Sequence, residues 1–172
     1  GKMNPVAGPL RTAFTTATLE LQAPKPREYY VAQLDNLDQP WAVRSAKYQI
    51  AKYDRGEPLA TEALFPIHVW RLGDDLTFVG LTGETVCDYA LRFKHAYGVD
   101  NTWVAGYCNE LIAYVPSRRV LAEGGYEGRT GMAEYGHAAP FRSTVEEIIA
   151  SNVDELVRAT GGHPVGDRSV VD

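Results

Sequence analysis

Two short apolar runs constrain this chain more than anything else in it. Phe78-Val79-Gly80-Leu81 and Trp103-Val104-Ala105 have the β-branched and aromatic content of buried strands. Each breaks off into polar or conformationally special residues, Thr82-Gly83-Glu84 after the first and Gly106-Tyr107-Cys108-Asn109 after the second. Between them Val86, Ala90, Phe93 and Tyr97 recur at helical spacing, and Gly98 is the residue type on which helices commonly stop. Strand, helix, strand with chemically capable side chains at both C-terminal strand ends is how open α/β sheets present ligand sites. The expected fold class is therefore α/β, a mixed β-sheet packed with helices.

The rest of the chain supplies further layers. Ala13, Thr15, Ala17, Leu19 and Leu21 alternate, which predicts a strand ended by Pro24 and Pro26. Tyr30, Leu34 and Leu37, then Trp41, Ser45, Tyr48 and Ala51, mark the apolar faces of two helices over about residues 27–36 and 41–54. Gly56 and Pro58 close the second. Phe65, Ile67, Val69 and Arg71 alternate up to Gly73-Asp74-Asp75, which turns the chain into the Phe78 strand and predicts a hairpin. Glu84 then falls in the first turn of the following helix, where backbone N–H groups favour a carboxylate.

Ser117 is placed to cap a short helix reaching Leu121 or Ala122, and Gly124, Gly125, Gly128 and Gly131 predict an irregular loop after it. Ser143-Thr144-Val145-Glu146-Glu147 has capping-box character, and Val145, Ile148, Ile149, Val153, Leu156 and Val157 form the apolar stripe of a last helix ending before Gly161-Gly162. Residues 1–9 read as a flexible lead-in, 10–163 as one folded body and 164–172 as a flexible tail.

Composition excludes several function classes. The 172 residues are 45% hydrophobic and 23% charged, which suits one globular domain, and no apolar run approaches the ~20 residues of a membrane span. A net charge of -5 argues against nucleic acid as partner, because phosphate neutralisation needs clustered Lys and Arg. Arg118-Arg119 reads as a pair facing water. Cys87 and Cys108 lie in apolar contexts without CxxC spacing and read as buried free thiols. His68, His95 and His137 have no second histidine at ligand spacing, and no GxSxG, P-loop, HExxH or GxGxxG occurs. By spacing alone Glu84 is a helix-terminal acid, and Tyr114 and Tyr126 are packed rings with wet hydroxyls.

Taken together, Gly83-Glu84, Val104-Ala105-Gly106-Tyr107-Cys108-Asn109, Tyr114-Val115-Pro116-Ser117-Arg118-Arg119 and Glu123-Gly124-Gly125-Tyr126-Glu127 resemble the C-terminal part of the catalytic domain of neutral (alkaline, non-lysosomal) ceramidases, over about residues 65–157. The resemblance implies a fragment of a larger catalytic domain. It implies a zinc ion held by Glu84 and Tyr114 together with two histidines from the N-terminal half of the same parent polypeptide. It places on Tyr126 the phenol that steadies the oxyanion when the amide is attacked. Thr82 stands where the family prefers proline, which alters the turn before the carboxylate. The serine-bearing segment and both histidine ligands of the family have no counterpart here.

The implied activity is ceramidase-like hydrolysis of an N-acyl, lipid-like amide by the full parent, with the isolated chain inactive and short of zinc donors. The implied parent is secreted, periplasmic or membrane-associated. Asn109 is a supporting candidate, and Gly83 and Gly106 are read as points of close backbone approach. Two other readings stay open: a non-catalytic accessory or binding domain that keeps the scaffold, and a metal-independent fold in which the three residues cap and pack. An apolar face left by a missing partner would let the chain self-associate.

Overall fold

The computed structural model describes residues 5–36 and 38–165. Leu37 of the first predicted helical face, the start of the predicted lead-in and the end of the predicted tail lie outside them. In chain order the elements are β1 (Leu10–Glu20), α1 (Arg27–Ala32) running into a 3-10 turn (Gln33–Asp35), α2 (Pro40–Asp54), β2 (Glu62–Leu72), β3 (Leu76–Leu81), β4 (Glu84–Thr85), α3 (Cys87–Tyr97) and β5 (Thr102–Ala105). They continue with β6 (Tyr114–Val115), α4 (Arg118–Glu123), a π-helical turn (Tyr126–Thr130), α5 (Gly131–Glu134) and α6 (Val145–Ala159). The class is mixed α/β, as the residue pattern predicts. The chain divides into two compact units, the first from Gly1–Ala17, Phe65–Leu111 and Glu147–Asp172, the second from Thr18–Leu64 and Ile112–Glu146.

The first unit holds the mixed four-stranded sheet, in the order β1-β2-β3-β5. β2 and β3 form the predicted hairpin, antiparallel from Leu72↔Leu76 to Ile67↔Leu81. β3 and β5 run parallel from Thr77↔Thr102 to Gly80↔Ala105, joined through α3, so the expected strand, helix, strand unit is present. Residues on one side of the strands, among them Phe65, Ile67, Val69, Val79 and Leu81, are fully buried, as are Tyr89 and Phe93 of α3 and Ile149 and Val153 of α6. These large apolar side chains form the core, each contributing on the order of 1.5–3 kcal/mol by leaving water. Arg92 pairs with Glu147 at 2.9 Å, and the Tyr97 hydroxyl donates to the Asp154 carboxylate. In the lead-in, Ala7 donates to Asp75, and the Pro9 carbonyl accepts from Gly73 N–H at the hairpin turn.

The opposite face of this sheet is unusual. Leu10, Thr12 and Phe14 of β1, His68 and Trp70 of β2, Phe78 of β3 and Trp103 of β5 alternate with the buried positions, and none of these is an acid, a lysine or an arginine. Phe14 stacks on His68 with centroids 4.8 Å apart, and Trp70 lies 5.3 Å from Phe78. Trp103 remains 60% exposed and Phe14 56%. A sheet with one solvated face normally alternates apolar and polar, and this one does not.

In the second unit the end of β1 meets the segment before α6, with Leu21 bridged to Phe141 and both buried. The Tyr30 hydroxyl donates to the Ala138 carbonyl at 2.8 Å, and the Gln49 side-chain amide donates to the Gly136 carbonyl at 2.8 Å. Ser117 caps α4 as predicted, its hydroxyl oxygen accepting from Val120 N–H at 3.2 Å.

Five local expectations are corrected. Glu84 is extended and precedes α3, whose N-cap is Val86 and whose first-turn acid is Asp88. The buried face of α2 is Ala42, Ser45, Ala46 and Gln49, rotated from the predicted one, and Tyr48 is exposed beneath the Lys52 ammonium, 4.8 Å from its ring centre. Cys87 is exposed rather than buried, whereas Cys108 is half-buried, and both are free thiols. Glu146 accepts from Arg118 N–H instead of closing a capping box, and Thr144 donates to Glu20. The glycine-rich segment after Gly125 is helical rather than irregular.

Candidate functional site

Each unit carries part of the residue set. In the first, the chain leaving β3 and the chain leaving β5 are laced together. Gly83 N–H donates to the Glu110 carbonyl, Tyr107 N–H to the Gly83 carbonyl at 2.7 Å, and Cys108 N–H to the Leu81 carbonyl. Tyr107 and Asn109 adopt left-handed backbone conformations (φ 56° and 70°), uncommon for residues with a side chain and held here by those bonds. A Cβ on Gly106 would stand 3.1 Å from the Gly83 carbonyl oxygen and 3.1 Å from Thr85 Oγ1. Glycine at 106 is the close approach that the residue pattern predicts.

Thr82 contributes what proline could not. Its fully buried hydroxyl lies 2.8 Å from the Pro66 carbonyl and 3.0 Å from the Cys108 carbonyl, tying β2 and the loop after β5 to the residue just ahead of Gly83-Glu84. Asn109 faces His68, with Oδ1 2.9 Å from Nε2. This pairing gives both residues a positional role on the aromatic sheet face. Burial pushes the Cys108 thiol above its ordinary range, which favours the neutral thiol over the thiolate.

In the second unit the structure brings Tyr114 and Tyr126 together, ring centres 5.0 Å apart in an edge-to-face arrangement. Tyr135 joins them, 6.3 Å from Tyr114. Tyr114 is carried by β6. Tyr126 opens the π-helical turn, reached through Gly124 and Gly125, both in left-handed conformations (φ 80° and 73°). Two further glycines let that turn close down. A Cβ on Gly128 would lie 2.5 Å from the Val120 carbonyl oxygen, and one on Gly131 would lie 3.0 Å from Tyr114 Cδ2.

Glu134 completes the cluster and is not singled out by the residue pattern. The Tyr126 hydroxyl donates to its carboxylate at 2.6 Å, and this bond, with some desolvation, holds the phenol well above its ordinary pKa. Tyr126 is therefore a protonated hydrogen-bond donor at every physiological pH. The signal for Glu134 is the eight-residue spacing from Tyr126, which brings the two together only when residues 126–134 are read as helical turns.

Glu84 belongs to the first unit and Tyr114 and Tyr126 to the second. Among the described residues no three His, Cys, Asp or Glu side chains converge. A carboxylate and a phenol are each oxygen donors of a type that zinc accepts beside imidazoles. No protein-family model matches the chain, and no curated protein or solved structure matches it.

Proposed function

We propose that this chain is the C-terminal part of a zinc-dependent amide hydrolase of the ceramidase type, acting on an N-acyl, lipid-like amide when joined to the N-terminal half that carries the serine and the histidines. The observation that supports this reading is the tyrosine pair. Tyr114 and Tyr126 are paired on a half-exposed surface, and the Tyr126 hydroxyl is bonded to Glu134 rather than to a buried backbone acceptor. Glu84 and Tyr114 would hold the zinc ion, which when bound polarises a carbonyl and lowers the pKa of bound water to about 7.

Tyr126 keeps its proton because Glu134 accepts it in a hydrogen bond. To serve an oxyanion, the O–H turns from Glu134 towards the developing charge, and losing one such donor costs about 2.7–4 kcal/mol of transition-state stabilisation. The aromatic outer face of the sheet supports the partner assignment, since a face of that extent is typical of a sheet covered by another layer. With two donors, the chain alone binds zinc weakly and leaves amides uncut.

The test is made on the longer polypeptide that carries this chain, with an N-acyl fluorogenic amide and metal analysis. Tyr126→Phe is expected to keep its zinc and lose about 10²–10³-fold in kcat. Glu84→Ala and Tyr114→Phe are expected to lose zinc and activity together. Full zinc and full turnover in Glu84→Ala would overturn the ligand assignment, and no turnover of any N-acyl amide by the intact polypeptide would overturn the activity.

A further inference from the structure

The second unit contains a cavity of about 520 Å³, within the range of small-molecule sites. It lies apart from the tyrosine cluster, since Tyr114, Tyr126, Glu134 and Tyr135 do not line it. Its walls include Tyr30, Trp41 and Met132, and its polar lining includes Lys25, Arg129 and His137. Among the described residues no aspartate or glutamate lines it, although the chain as a whole carries a net charge of -5.

Among the described residues Lys25 Nζ and the Arg129 guanidinium take part in no ion pair, whereas Arg27, Arg55, Arg92 and Arg119 are all paired with carboxylates. Gly124 leaves room for Arg129: a Cβ there would stand 3.2 Å from its Nε. The Tyr30 hydroxyl donates to the Ala138 carbonyl, which fixes its ring, and His137 Nε2 lies 2.9 Å from the Ile112 carbonyl, leaving Nδ1 to accept.

We propose that this cavity binds a small aromatic carboxylate, its ring against Tyr30 and Trp41 and its charge on Arg129 and Lys25. A planar guanidinium matches a carboxylate in bidentate fashion, and rigid aromatic walls favour a flat body in offset or edge contact. The absence of any lining acid removes the repulsion that would otherwise oppose an anion. The site needs neither zinc nor a second polypeptide, so it stands independently of the hydrolase reading.

Calorimetry on this chain, with naphthoate, naphthalenemethanol and naphthylmethylammonium as probes, tests it. Naphthoate is expected to bind one to one, with the alcohol and the ammonium at least about tenfold weaker. In the double variant Lys25→Gln/Arg129→Gln, both positions being exposed, naphthoate is expected to fall to the affinity of the alcohol while the alcohol is unchanged. Ala133→Leu, which fills the cavity from α5, is expected to weaken all three. Equal binding of the three probes, no binding of naphthoate, or full naphthoate affinity in the double variant would overturn the proposal.

Discussion

His137 shows how a single side chain ties the fold to pH. Burial holds its imidazole below the ordinary 6.5, an effect that the hydrogen bond to the Ile112 carbonyl only partly offsets. The folded chain therefore binds this proton less readily than the unfolded chain. The resulting stability is present above about pH 6.5 and is lost as pH falls through that value towards the lower folded pKa. Urea midpoints are expected to drop between neutral pH and about pH 5, and His137→Gln is expected to flatten that part of the profile. An unchanged slope in the variant would mean that His137 is not the group responsible. The residue pattern gives His137 no second histidine at ligand spacing and no more than that, because its partner lies 25 positions away and belongs to no local motif. Thr82 is similar: it was legible as a departure from proline, while the two carbonyls its hydroxyl reaches become neighbours only when β2 and β3 pair.

Among the elements, those with a strong period or a local cap were legible. β2, β3, α3, β5 and α6 lie close to the predicted spans, because burial on one side imposes a pattern of two or 3.6 residues. Ser117 also caps α4 as its position suggested. Two features escaped for packing reasons. The face of α2 follows small residues, Ala42, Ser45 and Ala46, that allow close approach, so Tyr48 is turned out. The glycines after Tyr126 looked like a loop, yet Gly128 and Gly131 sit in helical turns where any side chain would collide with Val120 or Tyr114. Gly128→Ala is expected to cost about 1–3 kcal/mol by overpacking and to loosen the Tyr126 turn. Denaturant unfolding with near-ultraviolet circular dichroism checks it. Wild-type stability with an unchanged tyrosine signal would show that the turn can move aside.

For the whole molecule, the decisive property is the aromatic side of the four-stranded sheet. Phe14, Trp70 and Trp103 are each more than 40% exposed, and among the described residues of these strands no acid, lysine or arginine interrupts them on this face. A patch of that kind drives association when nothing else covers it. Light scattering after size exclusion is expected to give a mass above the 19.0 kDa of one chain, and Trp103→Glu is expected to return it towards that value. A wild-type monomer at high concentration would remove this expectation.

The division of the chain has its own consequence for biosynthesis. Both compact units are assembled from separated stretches, the first needing residues from Glu147 onward and the second needing Ile112–Glu146. Neither can be finished before the stretch that begins at Ile112 has left the ribosome, and the first waits further for the residues from Glu147 onward, so the earlier stretches of each unit emerge well ahead of the segments that complete them.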